Sequence, residues 1–207
     1  MISGLPDTIL IATGNRGKLR ELSAMLEKIP VKWVGLDGFP AAVEVEETGG
    51  TFEENARLKA SGYARQTGLW TVADDSGLEI DALGGAPGVL SARYAGSGTP
   101  FPEKIRRILG EVDGSGLAIR KARFVCAMAV ADASGKVRFI AEGECRGDLA
   151  REPRGAGGFG YDPIFVPEGH EATFGELPDE VKRAISHRGR AADKIIRYLR
   201  GFTGIPT

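Results

Sequence analysis

The chain is poor in the residues that build metal clusters and covalent staples. It holds two cysteines and two histidines among 207 residues. Scattered through unrelated contexts, these four side chains do not make a zinc site. Cys126 lies inside the apolar run Phe124-Val125-Cys126-Ala127-Met128-Ala129-Val130, where a thiol serves as a small hydrophobe. No disulfide framework is expected, and a reducing compartment fits. Neither sign of charge is in excess: 27 Lys and Arg face 28 Asp and Glu, a formal net charge of −1. No global field draws in nucleic acid or an anionic membrane, so any anion site must be local. No apolar run approaches the ~20 residues of a membrane span. Met1 to Asp7 shows no basic region followed by a long apolar stretch. A soluble, cytoplasmic protein that binds neither nucleic acid nor membrane is expected. Internal repeats and low-complexity tracts are also lacking.

What is present suits a globular enzyme or binding protein. With 42% hydrophobic and 27% charged residues, the chain can bury a sizeable core as one compact domain over residues 1–207, in two lobes. Thr8 to Thr13 reads as a buried strand. The loop Gly14-Asn15-Arg16-Gly17-Lys18 follows, then a helix from about Lys18 to Lys28 and a strand at Val31–Val34. Strand, glycine loop, helix and strand suggest α/β architecture. Thr51 and Glu54 fit a capping box for a helix reaching about Gln66. Further helices are expected over Pro102–Leu109, Pro178–Ile185 and about Gly189–Arg200. Strands are expected over Ala122–Ala131, Val137–Cys145 and Ile164–Val166, the first two joined by a turn at Asp132–Gly135.

The most informative segment is Leu69-Trp70-Thr71-Val72-Ala73 followed by Asp74-Asp75-Ser76-Gly77. An apolar strand ending in two adjacent carboxylates would present them at a loop mouth. Side chains alternate along a strand, so the two acids should point to opposite faces. Carboxylates are hard oxygen ligands suited to Mg²⁺. Asp, Ser and Gly also form turns, and a plain turn stands beside the metal reading here.

Three other segments carry chemistry. Gly14 to Lys18 sits between strand and helix, where backbone N–H groups and the helix dipole favour a phosphate. It is not a Walker A loop, which needs Gly at Ala12 and Ser or Thr at Leu19. Gly155-x-Gly157-x-x-Gly160 matches the dinucleotide fingerprint only literally: no strand precedes it and Pro163 stops a helix. A loop laying Phe159 or Tyr161 against a planar ligand, or a surface loop with buried aromatics, are the alternatives. In Ser186-His187-Arg188-Gly189, histidine and arginine offer donors to a base carbonyl, or Ser186 caps the last helix beside solvated charges. No Gly-x-Ser-x-Gly elbow supports a serine hydrolase.

Six blocks taken together resemble the inosine triphosphate pyrophosphatase (Ham1-like) family. They are Thr13–Lys18, Glu47–Ala56, Ala73–Leu78, Leu83–Gly88, Gly158–Pro163 and Ile185–Gly189. The resemblance implies an α/β fold with an elongated mixed β-sheet flanked by helices, in two lobes with a central nucleotide cleft. It implies Mg²⁺-dependent hydrolysis of ITP, dITP and XTP to monophosphate and pyrophosphate, cleansing the nucleotide pool, by a homodimer. Carried over by motif, Thr13, Gly14, Asn15, Arg16, Gly17 and Lys18 contact the nucleotide, with Asn15 and Lys18 on the phosphates. Lys59 also reaches the triphosphate. Asp75 is the catalytic acid, metal ligand and general base, and Ser76 adjoins the substrate. Phe159, Gly160, Tyr161, Asp162, Lys182, His187 and Arg188 form the base pocket. Glu46 is the first choice for a second metal carboxylate, with Glu44 and Glu47 open. A purine-nucleotide sensor without catalysis would share the loop and pocket and not need Asp75.

Overall fold

The computed structural model describes residues 4–202. Its elements run β1 (Thr8–Ile11), α1 (Arg16–Leu26), β2 (Lys32–Gly35), α2 (Phe52–Thr67), β3 (Trp70–Ile80), α3 (Phe101–Gly114), β4 (Lys121–Ala131), β5 (Val137–Leu149), β6 (Phe165–Pro167), α4 (Asp179–Ile185) and α5 (His187–Arg200). Six strands form one sheet in the order β2-β1-β3-β4-β5-β6. β1 pairs in parallel with β2 and with β3, whereas β5 and β6 are antiparallel. The sheet is therefore mixed and the fold α/β, as expected.

Two compact units share the chain. The first holds residues up to Asp75, then Cys126–Gly143 and the chain from Arg188; the second holds Ser76–Val125 and Glu144–His187. In the first unit, Ile9 and Ile11 of β1 and Val72 of β3 pack with Leu22, Met25 and Leu26 of α1 and with Ala192, Ile195, Ile196 and Leu199 of α5. The α5 stripe is the one its spacing predicts, since residues three and four apart share a helix face. In the second unit, Leu78 and Ile80 pack with Ile105, Ile108 and Val112 of α3 and with the aromatic group Phe124, Phe165 and Phe174.

Local chemistry sets the element ends. Asn15 caps α1, its Oδ1 accepting from Gly17 N and Lys18 N, so the helix opens at Arg16, two residues before its expected start. Thr51 and Glu54 form the anticipated reciprocal capping box of α2, and Gly68, at φ +68°, closes that helix. The β4–β5 turn is held by Asp132, whose Oδ1 accepts from Ser134 N and Oγ and from Lys136 N. The last helix begins at His187 rather than Gly189, which puts His187 and Arg188 in its first turn.

Candidate active site

β3 runs unbroken from Trp70 through Asp74, Asp75, Ser76 and Gly77 to Ile80. The turn considered for this segment does not form, and the aspartates lie inside a strand rather than at its end. Turn-forming residues are a weak local preference, and here partners from distant segments satisfy both charges. The two side chains meet different neighbours. Asp74 Oδ2 lies 3.1 Å from Lys18 Nζ, and 3.4 and 3.5 Å from Arg188 Nε and Nη2. The Cys126 thiol points at the same oxygen at 3.8 Å. Asp75 Oδ2 accepts from Asn55 Nδ2 at 3.0 Å, and its Oδ1 is 3.7 Å from Lys59 Nζ. Strand alternation has sent one acid toward α1 and α5 and the other toward α2.

These environments drive the two carboxyls apart. Burial pushes both toward protonation. On Asp74 the cations of Lys18, Arg188 and Lys59 outweigh it and hold the carboxyl well below the usual range. On Asp75 burial prevails over Lys59 and Lys18, with Glu47 adding to it, and the carboxyl is raised. Lys59 is itself buried, which would strip its proton, but Asp75, Asp74 and Glu47 keep it an ammonium. A permanently ionised acid beside one with raised proton affinity is the pattern of a fixed anion next to a proton acceptor.

The Gly14–Lys18 loop differs from an open anion nest. Thr13 Oγ1 takes the N–H of Asn15, and Asn15 Oδ1 takes those of Gly17 and Lys18. Asn15 is thus first a helix cap, and its side-chain oxygen is committed inward. Arg16 and Lys18 nevertheless stand in a first turn that contains no acid. Cations there oppose the helix dipole unless an anion is near. Lys18 finds one in Asp74; Gly14, Asn15 and Arg16 are exposed.

Of the acidic stretch, Glu47 reaches inward, its Oε1 3.1 Å from Lys59 Nζ, while Glu44 and Glu46 are exposed. Among the described residues no three His, Cys, Asp or Glu side chains gather as a metal site. The oxygen donors do fit Mg²⁺, which takes one or two carboxylates and completes its shell with phosphates and waters. A single ammonium already bridges Glu47 and Asp75, which marks the place as one that demands positive charge.

The remaining expected residues lie in the second unit. Asp162 Oδ2 accepts from Phe159 N at 2.7 Å and from Lys182 Nζ at 2.6 Å. Lys182 Nζ also stands 4.9 Å over the Phe159 ring. Gly158 adopts φ +68°, and a Cβ there would meet Asp162 Oδ2 at 2.2 Å, so only glycine lets the loop close on Asp162. Gly160 is also left-handed, and Ser76 is half-buried on β3. His187 stacks on Phe124, centroids 4.6 Å apart. Tyr161 is buried edge-on against Phe101, its hydroxyl donating to Ser91 O, so Phe159 is the aromatic left half-exposed. As expected, no helix follows the glycines; a single 3₁₀ turn at Asp162–Ile164 does.

A family model described as the Ham1 family matches residues 9–198. The chain belongs to the Ham1 family. Among its relatives, a dITP/XTP pyrophosphatase of Nostoc sp. is 50% identical over 183 residues, covering 88% of this chain and 89% of the relative. One from Geobacter sulfurreducens is 47% identical, covering 95% and 98%. The structure of a HAM1 protein from Coxiella burnetii superposes with a TM-score of 0.86 at 42% identity, covering 94% of this chain and 98% of that one.

In this Ham1-family chain, two side chains that contact the candidate site residues escaped the sequence reading. Asn55 binds Asp75, and Glu21 Oε2 lies 2.7 Å from Arg188 Nη1. Helical spacing carried a signal for both. Asn55 lies four residues before Lys59, and Glu21 three after Lys18, so each shares a helix face with a residue already singled out.

Proposed function

We propose that this Ham1-family chain is a nucleoside triphosphate pyrophosphatase acting on non-canonical purine nucleotides. Its substrates are ITP, dITP and XTP, its products the monophosphate and pyrophosphate, and its role the cleansing of the nucleotide pool. The observation that carries this reading is the split pair of aspartates. Hydrolysis of a triphosphate needs charge neutralisation and a positioned water more than covalent chemistry. Asp75, with raised proton affinity, takes the proton from the attacking water. Asp74 stays ionised and fixes Lys18, while Lys59 holds its charge beside Asp75. Lys18, Lys59, Arg16 and the side-chain NH₂ of Asn15, shaped by Thr13, Gly14 and Gly17, bind the phosphates. Asp75 would hold Mg²⁺, with a second carboxylate from the acidic stretch: Glu47, which reaches inward to the same Lys59 ammonium as Asp75, or the exposed Glu46. When bound, the ion neutralises phosphate oxygens and lowers the pKa of water.

In the second unit Phe159 supplies the flat surface for a purine, and Lys182 and Asp162 fix its loop together with Gly158 and Gly160. Ser76 adjoins the substrate. His187 donates to the C6 carbonyl, which hypoxanthine and xanthine carry and adenine lacks. An adenine amino group there leaves a buried donor unpaired, at about 1–3 kcal/mol. Arg188 acts first on Asp74 and Glu21, and Tyr161 supports the loop from the core. A cytoplasmic homodimer completes the reading; light scattering at micromolar protein tests the dimer.

The deciding experiment incubates pure protein and Mg²⁺ with ITP, XTP, dITP, GTP and ATP and resolves the products. Monophosphate and pyrophosphate from the first three are expected. Diphosphate and phosphate would refute the reading, and tight binding without turnover would replace it with a nucleotide sensor.

A further inference from the structure

We propose that Asn55 is a positioning residue that locks the acidic loop onto Asp75 and so sets the geometry at which that carboxylate works. The inference rests on the role proposed for Asp75 above. The Asn55 side chain is fully buried, and both ends of its amide are used. Its Oδ1 accepts from Gly49 N at 2.8 Å, and its Nδ2 donates to Asp75 Oδ2 at 3.0 Å. Only one orientation of the amide works. Flipped, it would set NH₂ against the Gly49 N–H and oxygen against a carboxylate, two repulsions in a buried place.

The loop has no slack around this clasp. A Cβ on Gly49 would lie 2.6 Å from Glu54 Cβ and 2.8 Å from Asn55 Oδ1. Glu54 Oε2 holds the next two amides, Gly50 N at 2.7 Å and Thr51 N at 3.2 Å. Three consecutive loop amides are thereby pinned to the first turn of α2. Glu46 and Glu47 lie just upstream of that pinned stretch, so their register against Asp75 follows from it. One side chain joins the loop that carries these acids to the strand that carries the catalytic one. Residues that orient ligating carboxylates typically contribute about 10–100-fold in metal affinity or activity.

Two substitutions separate the halves of the clasp. N55A removes both bonds, whereas N55D keeps the acceptor for Gly49 and replaces the donor to Asp75 by a like charge. Hydrogen exchange of the Gly49 amide, measured without metal or nucleotide, reads the loop half. It should accelerate at least about tenfold in N55A and stay near wild type in N55D. Pyrophosphate release from dITP reads the other half. Both variants should lose about 10–100-fold in kcat, need more Mg²⁺ for half-maximal rate, and keep KM for dITP within about threefold. In a D75N background, N55A should cost no further rate, because Asn55 acts through Asp75. N55D at wild-type kcat, or an equal additional loss in the D75N background, overturns the proposal. Should N55A fail to fold, the near-isosteric N55D decides the rate half alone. If the wild type does not release pyrophosphate, the functional reading fails, and the clasp still stands or falls on Gly49 exchange.

Discussion

Neutralising each of the adjacent aspartates in turn should give opposite phenotypes. Asp74 is the sink for two cations that are themselves withdrawn from water: Lys18 at 3.1 Å and Arg188, buried, at 3.4 Å. In D74N the Arg188 guanidinium keeps Glu21 at 2.7 Å and loses the buried charge of Asp74. Breaking a buried ion pair from one side costs about 3–5 kcal/mol. For a chain of this size, each kcal/mol moves Tm by roughly 2–4 °C, so D74N should melt roughly 6–20 °C below wild type. Asp75 is the reverse case. Its environment disfavours its charge, so D75N should unfold within about 1 kcal/mol of wild type while losing most of the hydrolytic rate. Urea denaturation at pH 7.5 and pyrophosphate release from dITP measure the two quantities separately. The pH dependence has a definite sign. A depressed carboxyl contributes stability that is complete above its unfolded pKa of about 3.9 and fades as pH falls toward the folded value. The gap between wild type and D74N should therefore close in acid below about pH 4. Equal destabilisation by the two substitutions, or a D74N protein as stable as wild type at pH 7.5, would refute this division of labour.

Three further outcomes test other parts of the structure. Asp132, held at about 2 by Ser134, Arg138 and Lys136 against the opposing effect of burial, should stabilise the β4–β5 turn above pH 4 and progressively less as pH falls toward 2. D132N should accordingly lower Tm at neutral pH and match wild type near pH 2. T51A removes half of the capping box and should destabilise by about 1 kcal/mol in urea, with KM for dITP unchanged. G158A forces a Cβ onto Asp162 at a left-handed backbone and should raise KM for dITP several-fold; unchanged kinetics would remove the Phe159–Asp162 loop from base binding.

The α/β class, the capped α2 and the α5 stripe were legible because local patterns specify them. Apolar spacing and caps act within a few residues, and nothing distant overrides them here. β3 was not legible to its true end. Asp, Ser and Gly favour a turn locally, yet the strand continues because Arg188, 114 positions away, and Lys18, Asn55 and Lys59 neutralise or bind its acids. Asn15 could be placed in the loop from sequence, but whether its oxygen faces an anion or its own helix depends on torsions that composition does not reveal. Phe159 and Tyr161 stood as equals in the sequence; the Ser91 carbonyl that claims the Tyr161 hydroxyl lies 70 residues upstream.

The ammonium of Lys59, set between Glu47 and Asp75, bears on how the protein behaves in metal-poor surroundings. Many metal sites fall apart when emptied, because their ligands repel one another. Here a tethered cation stands permanently among the acids as an internal counter-ion. A chelator should then silence hydrolysis and leave the melting temperature where it was, and returning Mg²⁺ should restore the rate without a refolding lag. Catalysis would be lent and withdrawn by the ion, while the architecture owes it nothing.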